Sequence, residues 1–88
     1  MRNIMGQSDK FIEDAITNAK IKNYSIARGA LFNWTTNPIQ CNALGAVIVA
    51  MGIEEEFRNG FPNKWLDKVC AVIGEPPFWV YRFTAGFD

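Results

Sequence analysis

Few side chains in this sequence have the chemistry to react, and Cys41 is the foremost of them. It precedes a nine-residue apolar run, and a thiol at the start of a helix can have a lowered pKa and act as a nucleophile or redox sensor. The simpler interpretation, a small buried residue that closes the core, is favoured because cysteine is among the most buried residue types. A thiol enzyme or redox sensor at Cys41 is therefore kept as an alternative.

The absence of histidine excludes more functions than any motif indicates. Histidine is the commonest general base near neutral pH and the commonest metal ligand. Cys41 and Cys70 both lie in apolar stretches, which leaves no zinc site of a usual type, and no glycine-rich phosphate loop occurs. We predict that the protein is not an enzyme and has no catalytic residue, no cofactor and no bound metal.

The only run of like charge is Glu54-Glu55-Glu56. Three carboxylates could contribute to a site for a hard cation such as Ca²⁺. Adjacent residues on a helix point in different directions, however, so they do not converge on one ion. We interpret the run as a solvated face.

Aromatic residues make up 14% of the chain, which is high for its size. In a small domain most rings belong to the core, and that interpretation is favoured. Rings that remain exposed beside arginine would resemble a protein-binding hot spot or a stacking platform for single-stranded nucleic acid. The formal net charge of zero disfavours nucleic acid. The candidate interaction surface, for a protein partner or for self-association, consists of Arg28, Trp34, Trp79, Tyr81 and Arg82.

The element that must position these side chains is the run from Ala43 to Met51, which has no polar side chain. A helix that is apolar on every side is buried on every side. It would be about 14 Å long, too short to cross a membrane. A buried strand is the other interpretation, but the alanine, leucine and methionine content and a C-capping Gly52 favour a helix.

Four further segments have helical patterns. Apolar residues spaced three and four apart predict an amphipathic helix that Ser8 or Asp9 caps and Asn23 ends. The remaining predictions are a short helix over Ile53–Asn59 with a Glu54–Arg58 pair, a helix over Lys64–Ile73 that Asn63 caps and Gly74 ends, and a short helix from about Pro77 to Gly86. The last segment could also be a strand, and residues 24–34 are predicted as a short strand or an irregular connection.

The run from Cys41 to Ala46, with the leading helix and the stretch from Tyr24 to Ala30 before it, resembles small uncharacterised proteins of phages and bacteria. Among them is the domain of unknown function DUF6197, whose members carry a Cys-Ala-Leu-Gly-Ala-type segment. Asn42 is an extra residue relative to that segment. The resemblance implies a compact, mostly helical accessory protein and implies no activity. In such a segment, Gly45 would let another element approach the central helix closely.

These patterns predict a single mostly α domain over residues 1–88, with residues 1–7 flexible. Its architecture would be a small bundle of about four helices around a buried central helix, with one short strand pair as an option. The first eight residues lack the apolar core of a secretory signal, and no stretch is long enough to span a membrane, so we expect a cytoplasmic protein.

The predicted function is that of a small, non-enzymatic protein-interaction module of bacterial or phage origin. One alternative is a nucleic-acid-associated accessory protein, which would need Arg28, Lys20 and Lys22 on one face beside an exposed ring. The other is the thiol enzyme or redox sensor at Cys41.

Overall fold

The structure, a computed structural model, describes residues 7–87 and the side chains as far as Phe83. The predicted flexibility of residues 1–7 lies outside the described residues except at Gln7, which begins the first helix. The described part is mostly α, with four α-helices, one 3-10 helix and a small sheet. The helices are α1 (Gln7–Ile21), α2 (Ala43–Met51), the 3-10 helix (Glu54–Phe57), α3 (Trp65–Ile73) and α4 (Pro77–Phe87).

The sheet consists of three two-residue strands, β1 (Ser25–Ile26), β2 (Phe32–Asn33) and β3 (Gln40–Cys41). β3 lies in the middle, parallel to β1 and antiparallel to β2. The sequence predicted a strand or an irregular connection for residues 24–34 and at most one strand pair. The third strand comes from the segment immediately before α2.

α2 is a helix, as predicted, and all its residues from Ala43 to Val49 are buried. The Asn42 side chain caps its N-terminus by accepting a hydrogen bond from the Gly45 N–H at 2.8 Å. Gly52 ends it in the left-handed conformation that glycine adopts without strain, with φ of 77°. Asn42, extra relative to the Cys-Ala-Leu-Gly-Ala spacing, is therefore the residue that starts the helix.

Helices α1, α4 and the 3-10 helix contact α2, and α3 contacts α1 and α4. α1 packs along α2. The spacing predicted five apolar core positions in α1: Phe11 is half-buried, and the other four, Ile12, Ala15, Ile16 and Ala19, are buried. α4 packs against both α2 and α3. Val69 and Ile73 of α3 and Val80 of α4 complete the buried cluster.

Several predicted helix ends were wrong, because backbone conformation and long-range contacts determine them. α1 begins before Ser8, whose hydroxyl lies 2.7 Å from Glu75 Oε2 and 3.3 Å from the Ile73 carbonyl oxygen. α3 follows Lys64, which has a φ of 58°, and Asn63 does not cap it. α4 continues through Gly86 to Phe87.

Candidate interaction surface

The five predicted surface residues fall in different parts of the fold. Arg28 is exposed in the connection between β1 and β2, and Trp34 follows β2 and is half-buried. Trp79, Tyr81 and Arg82 all belong to α4. The structure therefore brings Trp79 and Arg82 together on one surface, and it places Trp34 in a separate aromatic cluster.

An open groove of about 370 Å³ runs between α4 and the first turn of α1. Trp79 and Phe83 form part of its wall, with their rings stacked at a centroid distance of 5.2 Å and an interplanar angle of 19°. The four-residue spacing places both rings on one side of the helix. The groove is lined by Asp9, Phe78, Trp79, Arg82 and Phe83.

α4 cannot bury all of its large side chains against the core. Val80 packs into the core and is almost completely buried, and Trp79 and Phe83 pack against the core while remaining partly exposed. Phe78 and Tyr81, which point in other directions around the helix, are 62% and 55% exposed. Phe78 lines the groove, whereas Tyr81 is not among the described lining residues. An exposed large aromatic ring in a groove is typical of contact surfaces.

Among the described residues that line the groove, one is acidic and one is basic. Asp9 lies in the first turn of α1, where the helix dipole favours a carboxylate. Arg82 lies on α4, with an exposed side chain. Within residues 7–87, no ion pair forms between these two residues or from either of them to another group. Both charges are therefore available to a molecule that enters the groove.

In the second aromatic cluster, the Trp34 ring contacts other side chains of the protein. The Trp34 ring stacks on Phe32 at 4.6 Å, and the Arg58 guanidinium lies 4.3 Å from the centre of the same ring. Glu55 holds that guanidinium through two hydrogen bonds of 2.7 and 3.2 Å. Because of its hydrogen bond to Arg58, the pKa of the Glu55 carboxyl is lowered. The sequence predicted a Glu54–Arg58 pair, and the structure shows that the partner of Arg58 is Glu55.

Sequence reasoning missed two features of these surfaces. Asp9 was considered only as a helix cap, and nothing in the sequence relates it to Arg82, which lies 73 positions further along the chain. Phe57, Phe61 and Trp65 form a continuous ring cluster, with centroids 5.3 to 6.1 Å apart. Their four-residue spacing was a signal for it, although a turn separates them.

Cys41 lies in β3 rather than at a helix start, and it is only 1% exposed. Burial raises the pKa of its thiol from 9.0 to about 11. Burial and, to a smaller extent, Asp67 also raise the pKa of the Cys70 thiol. A reactive cysteine needs accessibility and a lowered pKa, so both observations weigh against the thiol alternative.

The run of three glutamates is only partly solvated. Glu55 and Glu56 are exposed, whereas Glu54 is half-buried and its Oε1 is buried, with no hydrogen-bond partner in the described part of the chain. No cluster of three potential metal ligands occurs within residues 7–87. The solvated-face interpretation therefore fits two of the three side chains.

Fold and surface together define a small, mostly α protein with a three-stranded sheet and an aromatic groove on its last helix. Comparisons with family models, curated proteins and solved structures find no match to the chain. The resemblance to DUF6197 stays a prediction. Among the described helices, none has both the length and the apolar character that a membrane span requires.

Proposed function

We propose that this chain is a small, non-enzymatic cytoplasmic protein-interaction module of bacterial or phage origin, and that the groove along α4 is its contact surface. The observation that carries the proposal is the concentration of aromatic rings and one arginine around this groove. Aromatic residues and arginine are enriched among the side chains that dominate binding energy at protein interfaces. Trp79, Phe78 and Arg82 supply both types on a single helix.

The exposed fraction of Phe78 supports a contact role over a purely structural one. A phenylalanine that is 62% exposed contributes little to the core, whereas its burial by a partner would remove apolar surface from water. The neighbouring Val80 is buried in the core and fixes the helix. A rigid helix that presents rings loses little entropy when it binds.

The scaffold behind this surface is, on our proposal, a helical bundle organised around α2. α2 is buried from Ala43 to Val49 and packs against both α1 and α4. Since the two walls of the groove come from α1 and α4, a central helix that contacts both would fix the width of the groove. That arrangement supports a preformed binding site.

The test is cross-linking capture with the parent protein, a Phe78→Ser variant and an Ile21→Ser control. Ile21 is 78% exposed at the far end of α1, about 18 Å along the helix from Asp9. We expect Phe78→Ser to lose a captured protein that Ile21→Ser retains. Equal capture by all three proteins, or equal loss in the two folded variants, would contradict the assigned surface.

A further inference from the structure

We infer that the occupant of the α4 groove is a second copy of this chain, bound about a two-fold axis so that Asp9 of each protomer faces Arg82 of the other. The inference rests on the proposed function, because it uses the same surface and names the partner. It goes further by fixing the symmetry of the complex and the charge pair that would hold it.

Charge is the first argument for a second copy. A two-fold interface is self-complementary: if one residue contacts a second residue of the partner, the second also contacts the first. The described lining of the groove meets that condition, because it includes the carboxylate of Asp9 and the guanidinium of Arg82, which can pair twice across the axis. A groove with charges of a single sign would repel its own copy.

The state of these charges in the protomer is the second argument. Neither Asp9 nor Arg82 has an ion-pair partner within residues 7–87, although both line the same groove. Association therefore breaks no existing ion pair before the new pairs form. The formal net charge of zero also means that no long-range repulsion opposes the approach of two copies.

Shape and apolar surface are the third argument. The concave groove is lined by rings of α4, among them Phe78, which is 62% exposed. Two copies that pack their α4 helices across a two-fold axis would place the rings of each protomer against the groove of the other. Apolar surface would then be buried twice by one interaction, which favours a symmetric dimer.

The experiment measures solution mass by light scattering and sedimentation across a concentration series. Five samples are compared: the parent, Asp9→Arg, Arg82→Asp, an equimolar mixture of these two variants, and Lys20→Asp as a charge-changing control on the exposed side of α1. Circular dichroism and thermal unfolding establish that each variant is folded. All samples are also measured at high salt, which screens charge pairs.

We expect the parent and Lys20→Asp to dimerise with similar dissociation constants. Each single groove variant should weaken self-association by about tenfold or more, because two like-charged contacts replace two opposite-charged ones. The mixture should recover a one-to-one heterodimer, since one protomer then presents two arginines and the other two aspartates. An ion pair within one protomer could not be recovered by mixing, so this sample identifies contact between protomers.

Three results would overturn the inference: a parent that stays monomeric at the highest concentration, groove variants that dimerise as tightly as the parent, or a mixture that fails to recover the heterodimer. The capture experiment separates this failure from that of the proposed function. If the parent is monomeric but Phe78→Ser still loses a captured protein, the surface binds a different partner and only the second-copy inference fails. If capture is also insensitive to Phe78, both proposals fail.

Discussion

At Gly45 the backbone of another segment lies too close to α2 to leave room for a side chain. A Cβ atom at this position would lie 2.8 Å from Cys41 Cβ and would collide with the backbone carbonyl oxygen of Leu31. That carbonyl also accepts the Asn42 N–H at 3.3 Å, so the loop before β2 is fixed against the start of α2. The close approach expected of a glycine in this run is therefore confirmed.

We predict that Gly45→Ala destabilises the protein by about 1–3 kcal/mol, the usual cost of excess volume in a packed interior. The sign of this stability change is informative, because alanine at an open helical position would instead stabilise α2 by about 1 kcal/mol relative to glycine. Urea unfolding followed by circular dichroism measures the difference.

Ala50→Gly is the matched control for Gly45→Ala, because Ala50 is exposed on the same helix. It should cost about 1 kcal/mol through helix propensity alone. An increase in stability for Gly45→Ala would show that the loop at Leu31 does not press on α2.

At the scale of elements, α2 contributes strongly to the stability of the fold because its residues from Ala43 to Val49 are buried. Ile48 is completely buried, whereas Val72 of α3 is exposed. We predict that Ile48→Ala lowers the free energy of unfolding by about 2–4 kcal/mol, from lost burial and the cavity that remains. Val72→Ala should change it by less than about 0.5 kcal/mol, as surface substitutions usually do. Equal urea midpoints for the two variants would contradict the burial of Ile48 in the core.

The sequence predicted the helices better than their ends or the sheet, and the difference has a physical cause. The apolar spacing of α1 and the unbroken apolar run of α2 are local signals that depend on burial alone. At the N-terminal end of α1, the Ser8 hydroxyl contacts residues more than 60 positions away, and no local sequence pattern encodes such contacts. Two-residue strands are equally invisible, because their hydrogen bonds come entirely from distant partners.

The sequence also predicted only the local part of the candidate surface. Trp79 and Arg82 lie three positions apart on one helix, so their proximity follows from the helical repeat. The Trp34 ring is in contact with Phe32 and Arg58. That cluster depends on how the 3-10 helix packs near β2. Asp9 lines the groove because the first turn of α1 lies beside α4, and that proximity is a property of the tertiary structure.

At the scale of the whole molecule, the buried acidic groups indicate how stability depends on pH. Burial raises the pKa of the Cys41 thiol to about 11 and also raises the pKa values of Cys70 and Tyr24 above their ordinary 9.0 and 10.0. For Tyr24, the charges of Glu54 and Glu55 act in the same direction. The folded chain therefore keeps protons that the unfolded chain releases at alkaline pH.

This difference fixes the sign of the pH dependence. Below the unfolded pKa of about 9, the Cys41 thiol is protonated in both states and its contribution is constant. As the pH rises from about 9 through about 11, the unfolded state binds fewer protons than the folded state, so the free energy of unfolding falls. The Cys41 thiol alone lowers the free energy of unfolding by about 2 kcal/mol at pH 11, because each unit of pKa difference corresponds to roughly 1.4 kcal/mol.

We predict that the urea midpoint is the same at pH 7 and 8 and falls steadily between pH 9 and 11. A Cys41→Ala variant isolates the thiol: its midpoint should be lower at every pH because volume is lost, but its decline above pH 9 should be shallower than that of the parent. The comparison uses the two slopes, so the deprotonation of lysines cancels. Parallel slopes would mean that the Cys41 thiol ionises as easily in the folded protein as in the unfolded chain, and the case for a reactive cysteine would have to be reopened.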